Sequence, residues 1–170
     1  MIRIAFTGPE SSGKTTISKL VATHFHAEWV EEYAREFLRQ SKGNYDLKDL
    51  DKIAFGQAEK WKNHDCKLLI CDTDLTVLKI WSEIKYDYVS KEILKYYFEQ
   101  YFDHYFLCRP DIPWEEDALR ENPYDRDDLF ERYIIELERY KRDFSILEGS
   151  IENRVQFCAQ KINQLIKASI

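Results

Sequence analysis

The sequence predicts an α/β fold in which helices cover both faces of one parallel sheet. Five short apolar runs alternate along the chain with segments whose apolar residues recur at helical spacing. This alternation is typical of parallel strands, because each connection between them must cross back over a face of the sheet. A glycine-rich motif lies between the first apolar run and the first helical segment. That position at a strand end is where such folds bind ligands.

Composition excludes several classes of protein. The 170 residues are enough for one domain, so we expect a single domain over residues 1–170. The net charge of −6 argues against a nucleic-acid partner, and no apolar run reaches the roughly 18 residues of a membrane span. Neither the four cysteines nor the four histidines show zinc-site spacing. Free thiols and the lack of a signal peptide predict a cytoplasmic protein.

The glycine-rich motif is GPESSGKT at residues 8–15, which fits the P-loop pattern G-x-x-x-x-G-K-[ST]. It follows a strand expected over residues 2–6 and precedes a helix expected over residues 16–27. Glycines allow backbone amides to approach phosphate oxygens, and a helix N-terminus adds partial positive charge. An ordinary turn before a helix is the alternative, but strand, loop and helix together favour a nucleotide site.

The P-loop pattern assigns chemistry to its side chains. Lys14 is expected to contact the β- and γ-phosphates, and the Thr15 hydroxyl is expected to hold Mg²⁺. The other nucleotide-binding residues expected here are Gly8, Glu10, Ser11, Ser12, Gly13 and Thr16.

The second strand is expected over residues 28–33 and ends among polar side chains. Because ligands bind beyond the carboxyl ends of parallel strands, Glu32 and Arg35 are expected near the phosphates. The alternative is a surface ion pair between Glu32 and Arg35 at a helix start. The pattern does not decide between the two.

The third strand, expected over residues 67–71, runs directly into Asp72, Thr73 and Asp74. A helix capped by Asp46 is expected before it, ending near residue 66. A carboxylate at this strand end is the Walker B arrangement, which contacts Mg²⁺ directly or through water. The alternative is that Thr73 or Asp74 only caps the next helix.

The second half of the chain continues the alternation. We expect a helix over residues 91–102 capped by Ser90, strands over 104–108 and 144–147, a helix over about 127–142, and a last helix capped by Ser150. The charged segment of roughly residues 114–126 lies where a small kinase carries its lid. Arg120 and Arg126 are expected to close there on phosphate oxygens. A solvated, ion-paired surface is the alternative.

Five motifs together resemble the NadR-like ribosylnicotinamide kinase domains, in the same order and over nearly the whole chain. They are the P-loop, EYARE at 32–36, DTD at 72–74, PDIPW at 110–114 and LR at 119–120. The resemblance implies a P-loop kinase fold with strand order 2-3-1-4-5 and a small helical lid. It also implies ATP and Mg²⁺ as cofactors and nicotinamide riboside as the phosphate acceptor. The family's D-D-G-L-R reads EDALR at 116–120 here.

The resemblance also implies roles at the strand ends. Lys14 and Arg120 stabilise the transferred phosphoryl group, and Thr15 with Asp72 or Asp74 holds the metal. Glu32 is the first candidate to orient or deprotonate the attacking hydroxyl, and Asp72 is the second. The candidates on the substrate side are Trp29, Tyr33, Arg35, Asp74 and Trp114, although the three aromatic residues suit a core equally well. Gly149 and Ser150 fall where the adenine of ATP would lie.

Two other functions remain open at this stage. One is a nucleotide-dependent switch that reports to a partner, although the guanine-reading motif [N/T]-K-x-D does not occur. The other is a kinase of a different nucleoside or small metabolite. The sequence leaves open whether the chain forms a homo-oligomer.

Overall fold

Five parallel strands form one sheet in the order β2-β3-β1-β4-β5 in the computed structural model, which describes residues 1–115 and 125–169. This confirms the predicted parallel sheet and its strand order. The central strand β1 places Ile4 between Ile70 of one neighbour and His104 of the other. The strands are β1 (Ile2–Thr7), β2 (Glu28–Val30), β3 (Leu68–Cys71), β4 (His104–Cys108) and β5 (Phe144–Leu147).

Seven helices lie within the described ranges. They are α1 (Lys14–Phe25), α2 (Tyr33–Gln40), α3 (Leu47–Lys60), α4 (Leu75–Tyr86), α5 (Lys91–Glu99), α6 (Arg126–Arg139) and α7 (Ile151–Ala168). Over these same ranges, every helix is too short or too polar to cross a membrane.

Three predicted helix caps are present. The Asp46 carboxylate accepts a hydrogen bond from the Asp49 amide at 3.0 Å, and the Asp49 carboxylate accepts one from the Asp46 amide at 3.1 Å, which completes a capping box. Ser90 and Ser150 accept bonds from the amides three residues on, at 3.1 and 3.2 Å. Each side-chain oxygen satisfies an amide that has no partner within its own helix, which fixes where the helix begins.

Several element ends differ from the prediction, among them those of α1 and α6, which end at Phe25 and Arg139 rather than at residues 27 and about 142. Strand β2 ends at Val30, and Tyr33, which was expected in that strand, begins helix α2, as the alternative for Glu32 and Arg35 had allowed. Helix α3 ends at Lys60, because the chain turns away through Asn63 with a left-handed φ of 60°. Helix α5 ends at Glu99, because Gln100 is extended and its side chain accepts a hydrogen bond from helix α4.

Two hydrophobic cores cover the two faces of the sheet. Along β1, Ile4 and Phe6 face the core under α1 and α7, whereas Ala5 faces the larger core. The larger core holds buried residues of α2, α3, α4, α5 and α6. This two-sided burial explains why β3 and β4 are apolar at nearly every position. Because the strands are parallel, the carboxyl ends of β1, β2 and β3 lie at the same edge of the sheet.

A buried histidine joins the last two strands near their starts. The His104 ring is fully buried, with Nδ1 2.7 Å from an Asp143 carboxylate oxygen and Nε2 3.0 Å from the Ser145 hydroxyl. Burial lowers the pKa of His104 despite the Asp143 carboxylate, so the ring is held neutral. A neutral ring satisfies both bonds when Nδ1–H donates to Asp143 and Nε2 accepts from Ser145.

Replacing His104 by Gln should therefore change how stability depends on pH. The unfolded histidine takes up a proton near its ordinary pKa of about 6.5, whereas the buried ring resists protonation. The free energy of unfolding of the parent, relative to His104→Gln, should be greatest above that pH and fall below it, by at most about 1.4 kcal/mol per pH unit. Urea unfolding of both proteins at about pH 7.5 and about pH 5.5 measures the difference. A constant difference would mean that His104 has the same pKa in the folded and the unfolded protein.

Candidate active site

The P-loop begins with a close approach between two backbones. Gly8 has a φ of 129°, and a Cβ atom there would lie 2.7 Å from the Cys108 carbonyl oxygen on β4. At the other end of the loop, Gly13 is the N-cap of α1 and has a φ of 88°. Since glycine has no side-chain oxygen to cap the helix, the first amides of α1 remain suited to an anion.

The Lys14 ammonium group lies inside this loop. Its Nζ atom donates hydrogen bonds to the Gly8 and Pro9 carbonyl oxygens, both at 2.7 Å. The Ser12 hydroxyl donates to the same Pro9 oxygen at 2.8 Å. These contacts hold a positive charge within the curve of the loop, where a phosphate chain would run.

Asp72 lies beneath the loop, at the end of β3. It is 1% exposed, and its Oδ1 atom accepts a hydrogen bond from the Ser18 hydroxyl of α1 at 3.2 Å. Burial and the nearby Glu32 carboxylate raise the pKa of Asp72 to about 7, although the Thr15 hydroxyl and Lys14 oppose the rise. Its Oδ2 atom is buried and has no hydrogen-bond partner with good geometry in the described part of the chain. An oxygen of this kind next to the Thr15 hydroxyl fits a hard cation such as Mg²⁺.

Glu32 and Arg35 form the expected ion pair at a helix start and also lie at the edge of the candidate site, so both interpretations of these residues apply. Their ion pair is present at the start of α2, with Arg35 Nε 3.2 Å from Glu32 Oε2. Both residues also line the cavity that contains the P-loop. The Glu32 side chain is only 17% exposed, so its carboxylate faces the cavity more than the solvent.

A cavity of about 850 Å³ runs from the P-loop to helices α2, α4 and α6. Its size is typical of small-molecule sites. Its P-loop side includes residues 8–17, Ile112, Pro113, Ile151 and Arg154. Its helical side is mostly apolar and is lined by Glu32, Ala34, Arg35, Leu38, Val77, Ile80, Trp81, Ile84, Lys85, Leu129 and Tyr133. The cavity therefore has room for a second ligand beside the phosphates.

Sequence reasoning missed Arg154, which is 2% exposed and lines the P-loop side. Its guanidinium donates to the carbonyl oxygens of Ser12 at 2.9 Å, Gly149 at 3.0 Å and Arg109 at 3.2 Å, and to the Asp111 carboxylate. It thereby joins the P-loop to the loops after β4 and β5. Its place on the inward face of α7, one turn before Cys158, was the available signal.

Trp81 and Tyr133 were also missed, and they are the aromatic residues among those that line the helical side. Trp81 is on α4, and its indole N–H donates to the Tyr45 hydroxyl at 2.9 Å. Tyr133 is on α6 and is 4% exposed. Both lie at apolar positions of amphipathic helices, so periodicity alone does not separate a residue that lines a cavity from one in the core.

Four of the five predicted substrate residues do not line this cavity: Trp29, Tyr33, Asp74 and, as described below, Trp114. Trp29 packs against α1, where its indole N–H donates to Ser18 at 3.0 Å. The Tyr33 ring packs on α3 so closely that a Cβ atom at Gly56 would lie 2.2 Å from it. Asp74 is 1% exposed and caps α4 by accepting from the Thr76 amide at 2.9 Å, so the capping alternative describes it correctly.

The remaining predicted residues lie around the P-loop side. Arg126 donates to the Ser11 and Ile112 carbonyl oxygens, both at 3.1 Å, and its guanidinium lies 5.7 Å from the centre of the Trp114 ring. Trp114 itself is not among the lining residues. The Gly149 amide donates to Asp111 at 2.7 Å, and Ser150 caps α7. Arg120 and most of the expected lid lie outside the described residues.

Comparison with known proteins confirms the resemblance. A family model described as AAA domain matches residues 3–154. The trifunctional NAD biosynthesis/regulator protein NadR of Escherichia coli (strain K12) is 27% identical over 178 aligned residues, and that of Salmonella typhimurium is 26% identical. Each alignment covers 96% of this chain but 42% of the relative, so the chain spans less than half the length of these curated relatives.

Solved structures with the same fold confirm the predicted P-loop kinase architecture. A NadR protein in complex with NAD and AMP-PNP superposes with a TM-score of 0.71 at 20% identity, over 88% of this chain and 44% of that one. Deoxyadenosine kinase from M. mycoides with bound dATP gives 0.61 at 16% identity, over 96% of this chain and 100% of that one. Thymidylate kinase from Ehrlichia chaffeensis gives 0.64 at 16% identity, over 98% of both chains.

The Arg154 contacts predict a test of the P-loop side. Arg154→Lys keeps the charge but cannot reach three carbonyl oxygens and a carboxylate at once. We expect the affinity for an ATP analogue to fall about tenfold, a loss of about 1.4 kcal/mol, because the loops are no longer held together. Isothermal titration measures the affinity. Arg132→Lys, at an exposed position of α6, is the matched control and should bind normally. Normal binding by Arg154→Lys would show that the loops hold their shape without the guanidinium.

Proposed function

The chain belongs to the AAA domain family, and from this premise we propose that it is an ATP-dependent kinase that phosphorylates the ribose hydroxyl of a nucleoside, with nicotinamide riboside as its acceptor. We further propose that residues 1–170 form one kinase domain. The two curated relatives are named for NAD biosynthesis, and one solved structure of similar fold is of NadR in complex with NR. Those names support this acceptor over other nucleosides.

The observation that carries the proposal is the two-sided cavity. Its P-loop side contains Lys14 and Thr15, and its helical side contains Glu32 and two aromatic residues. A protein that only binds and reports a nucleotide needs no second compartment next to the γ-phosphate. A kinase needs one, because the acceptor hydroxyl must lie in line with the phosphate that it receives.

The transfer step needs positioning and charge stabilisation more than covalent chemistry. The bond between the γ-phosphorus and the bridging oxygen breaks, and its electron pair leaves with ADP. A new bond forms between that phosphorus and the acceptor oxygen, whose proton passes to a carboxylate. The P-loop amides and Lys14 hold the phosphates and offset the charge that develops on them.

The two strand-end carboxylates suit different parts of this reaction. Glu32 lines the cavity and is the group that would orient the hydroxyl and accept its proton. Asp72 is buried against α1, beside Thr15 and Ser18, which suits the binding of a cation. Mg²⁺ bound there would supply positive charge to the phosphate oxygens. The pKa of about 7 means that Asp72 without a cation is partly protonated near neutral pH.

The helical side suits a flat, weakly hydrated ring. Trp81 and Tyr133 line it together with aliphatic side chains of α2 and α4. The nicotinamide ring of the riboside is planar and positively charged, and aromatic faces bind such cations by stacking and by cation–π attraction. In this proposal Trp81 and Tyr133 replace Trp29 and Tyr33 as the residues that contact the base.

Purified protein should transfer phosphate from radiolabelled ATP to nicotinamide riboside faster than to adenosine, cytidine or thymidine. Lys14→Ala should remain folded and lose at least about a hundredfold in kcat/KM, because Lys14 is the cation held within the loop. Lys19→Ala, an exposed lysine on the same helix, is the control and should be as active as the parent. If ATP binds but no riboside is phosphorylated, the protein is a nucleotide switch or uses another acceptor class.

Separate substitutions distinguish the two carboxylates. Glu32→Gln should bind ATP nearly normally but transfer phosphate about a hundredfold more slowly, because its contact matters chiefly in the transition state. Asp72→Asn should instead need more Mg²⁺, and added Mg²⁺ should partly restore its rate. ATP affinity and single-turnover rates across a Mg²⁺ titration measure both. If Mg²⁺ restores Glu32→Gln and leaves Asp72→Asn slow, the two roles must be exchanged.

A further inference from the structure

Two buried glutamines hold the starts of α2 and α4, the helices that follow strands β2 and β3. The Oε1 atom of Gln57 on α3 accepts a hydrogen bond from the Tyr33 amide, the first of α2, at 2.7 Å. The Oε1 atom of Gln100 accepts one from the Leu75 amide, the first of α4, at 2.9 Å. Helix α2 has Glu32 at its N-cap but no side-chain bond from it. Gln57 therefore supplies this cap from another helix, and its position fixes the backbone that carries Glu32.

Close packing around Gln57 makes that connection rigid. Its neighbour Gly56 touches the Tyr33 ring, and a Cβ atom there would lie 2.2 Å from a ring carbon. Gln57 itself is only 2% exposed. Helices α2 and α3 thus meet without a gap at the residue that caps α2.

The side-chain amide nitrogens of the two glutamines differ in their hydrogen bonding. The Nε2 atom of Gln100 lies 3.4 Å from an Asp74 carboxylate oxygen. The Nε2 atom of Gln57 is buried and has no hydrogen-bond partner among the described residues. A buried donor nearly always has a hydrogen-bond partner, so this nitrogen is suited to a partner beyond the described residues, such as an ordered water.

Gln57 lines a small pocket that adjoins the main cavity. Its volume of about 20 Å³ suits one water molecule. Glu32 and Trp81 line both the pocket and the helical side of the cavity. Thr73 and Asp74 also line the pocket, so a water there has several polar partners within the pocket wall.

We propose that Gln57 is a positioning residue of the acceptor site. Its carbonyl oxygen fixes the first turn of α2, and its amide nitrogen donates to one ordered water that hydrogen-bonds the Glu32 carboxylate. The water holds Glu32 in the orientation that meets the acceptor hydroxyl, and the proton still passes from that hydroxyl to Glu32. This inference rests on the proposed function, because it takes Glu32 as the group that orients the hydroxyl. Small displacements of such a group lower the transfer rate strongly.

Gln57→Met, which removes both polar atoms at similar volume, tests the inference. We expect the single-turnover rate to fall about tenfold while ATP affinity stays within about twofold, because Glu32 acts on the acceptor side. Gln100→Met removes an equivalent buried cap and is the matched control. It should transfer phosphate at close to the parent rate. Equal losses in both variants would mean that Gln57 matters only for folding.

A double-mutant cycle separates positioning from a general structural effect. In the Glu32→Gln background, Gln57→Met should cause no further loss of rate, because its effect passes through the Glu32 carboxylate. Equal losses in both backgrounds would overturn this inference alone. A parent protein that phosphorylates no riboside would overturn the proposed function, and this inference with it.

A high-resolution crystal structure of the parent gives a test that needs no variant and no activity. It should show one water within hydrogen-bond distance of both Gln57 Nε2 and the Glu32 carboxylate. A Gln57 amide that binds protein atoms alone would overturn the inference, even if Gln57→Met failed to fold.

Discussion

The close backbone approach at Gly8 is the constraint on which the site depends. Strand β1 is hydrogen-bonded on both sides, and at its end the chain must turn past the Cys108 carbonyl of β4 with no room for a side chain. That turn starts the loop that encloses the Lys14 ammonium group and brings the start of α1 to the edge of the sheet. Because all five strands are parallel, β2 and β3 deliver Glu32 and Asp72 to the same edge. The buried Arg154 then joins this loop to those after β4 and β5.

The sequence predicts most of the fold because its signals are local. Apolar runs identify all five strands, and Asp46, Ser90 and Ser150 mark helix starts by their own side chains. The start of helix α2 was predicted only as an alternative, because its cap comes from Gln57, which is distant in sequence and close only in the folded chain. Local patterns carry no information about such a partner. The same holds for Arg154, whose acceptors come from three separate loops.

The candidate site was predictable where motifs define it and unpredictable where only packing does. The P-loop and the acidic strand ends follow from spacing. The aromatic residues do not, because successive strand residues face opposite sides of a sheet. Val30 faces the core on the side of α2, so its neighbour Trp29 faces α1 and cannot line the cavity. Trp81 and Tyr133 reach it because α4 and α6 pack on the side of the sheet where the helical wall of the cavity forms.

The sheet ends in two very short strands, β2 with three residues and β5 with four. A strand at the border of a sheet offers unpaired backbone groups to any other chain, and short or charged borders limit such pairing. Here Glu28 begins one border, and the charged pair Asp143 and Lys161 lies at the start of the other. Neither border offers a long template for strand addition. Pairing between copies of this protein through the edges of its sheet is therefore opposed.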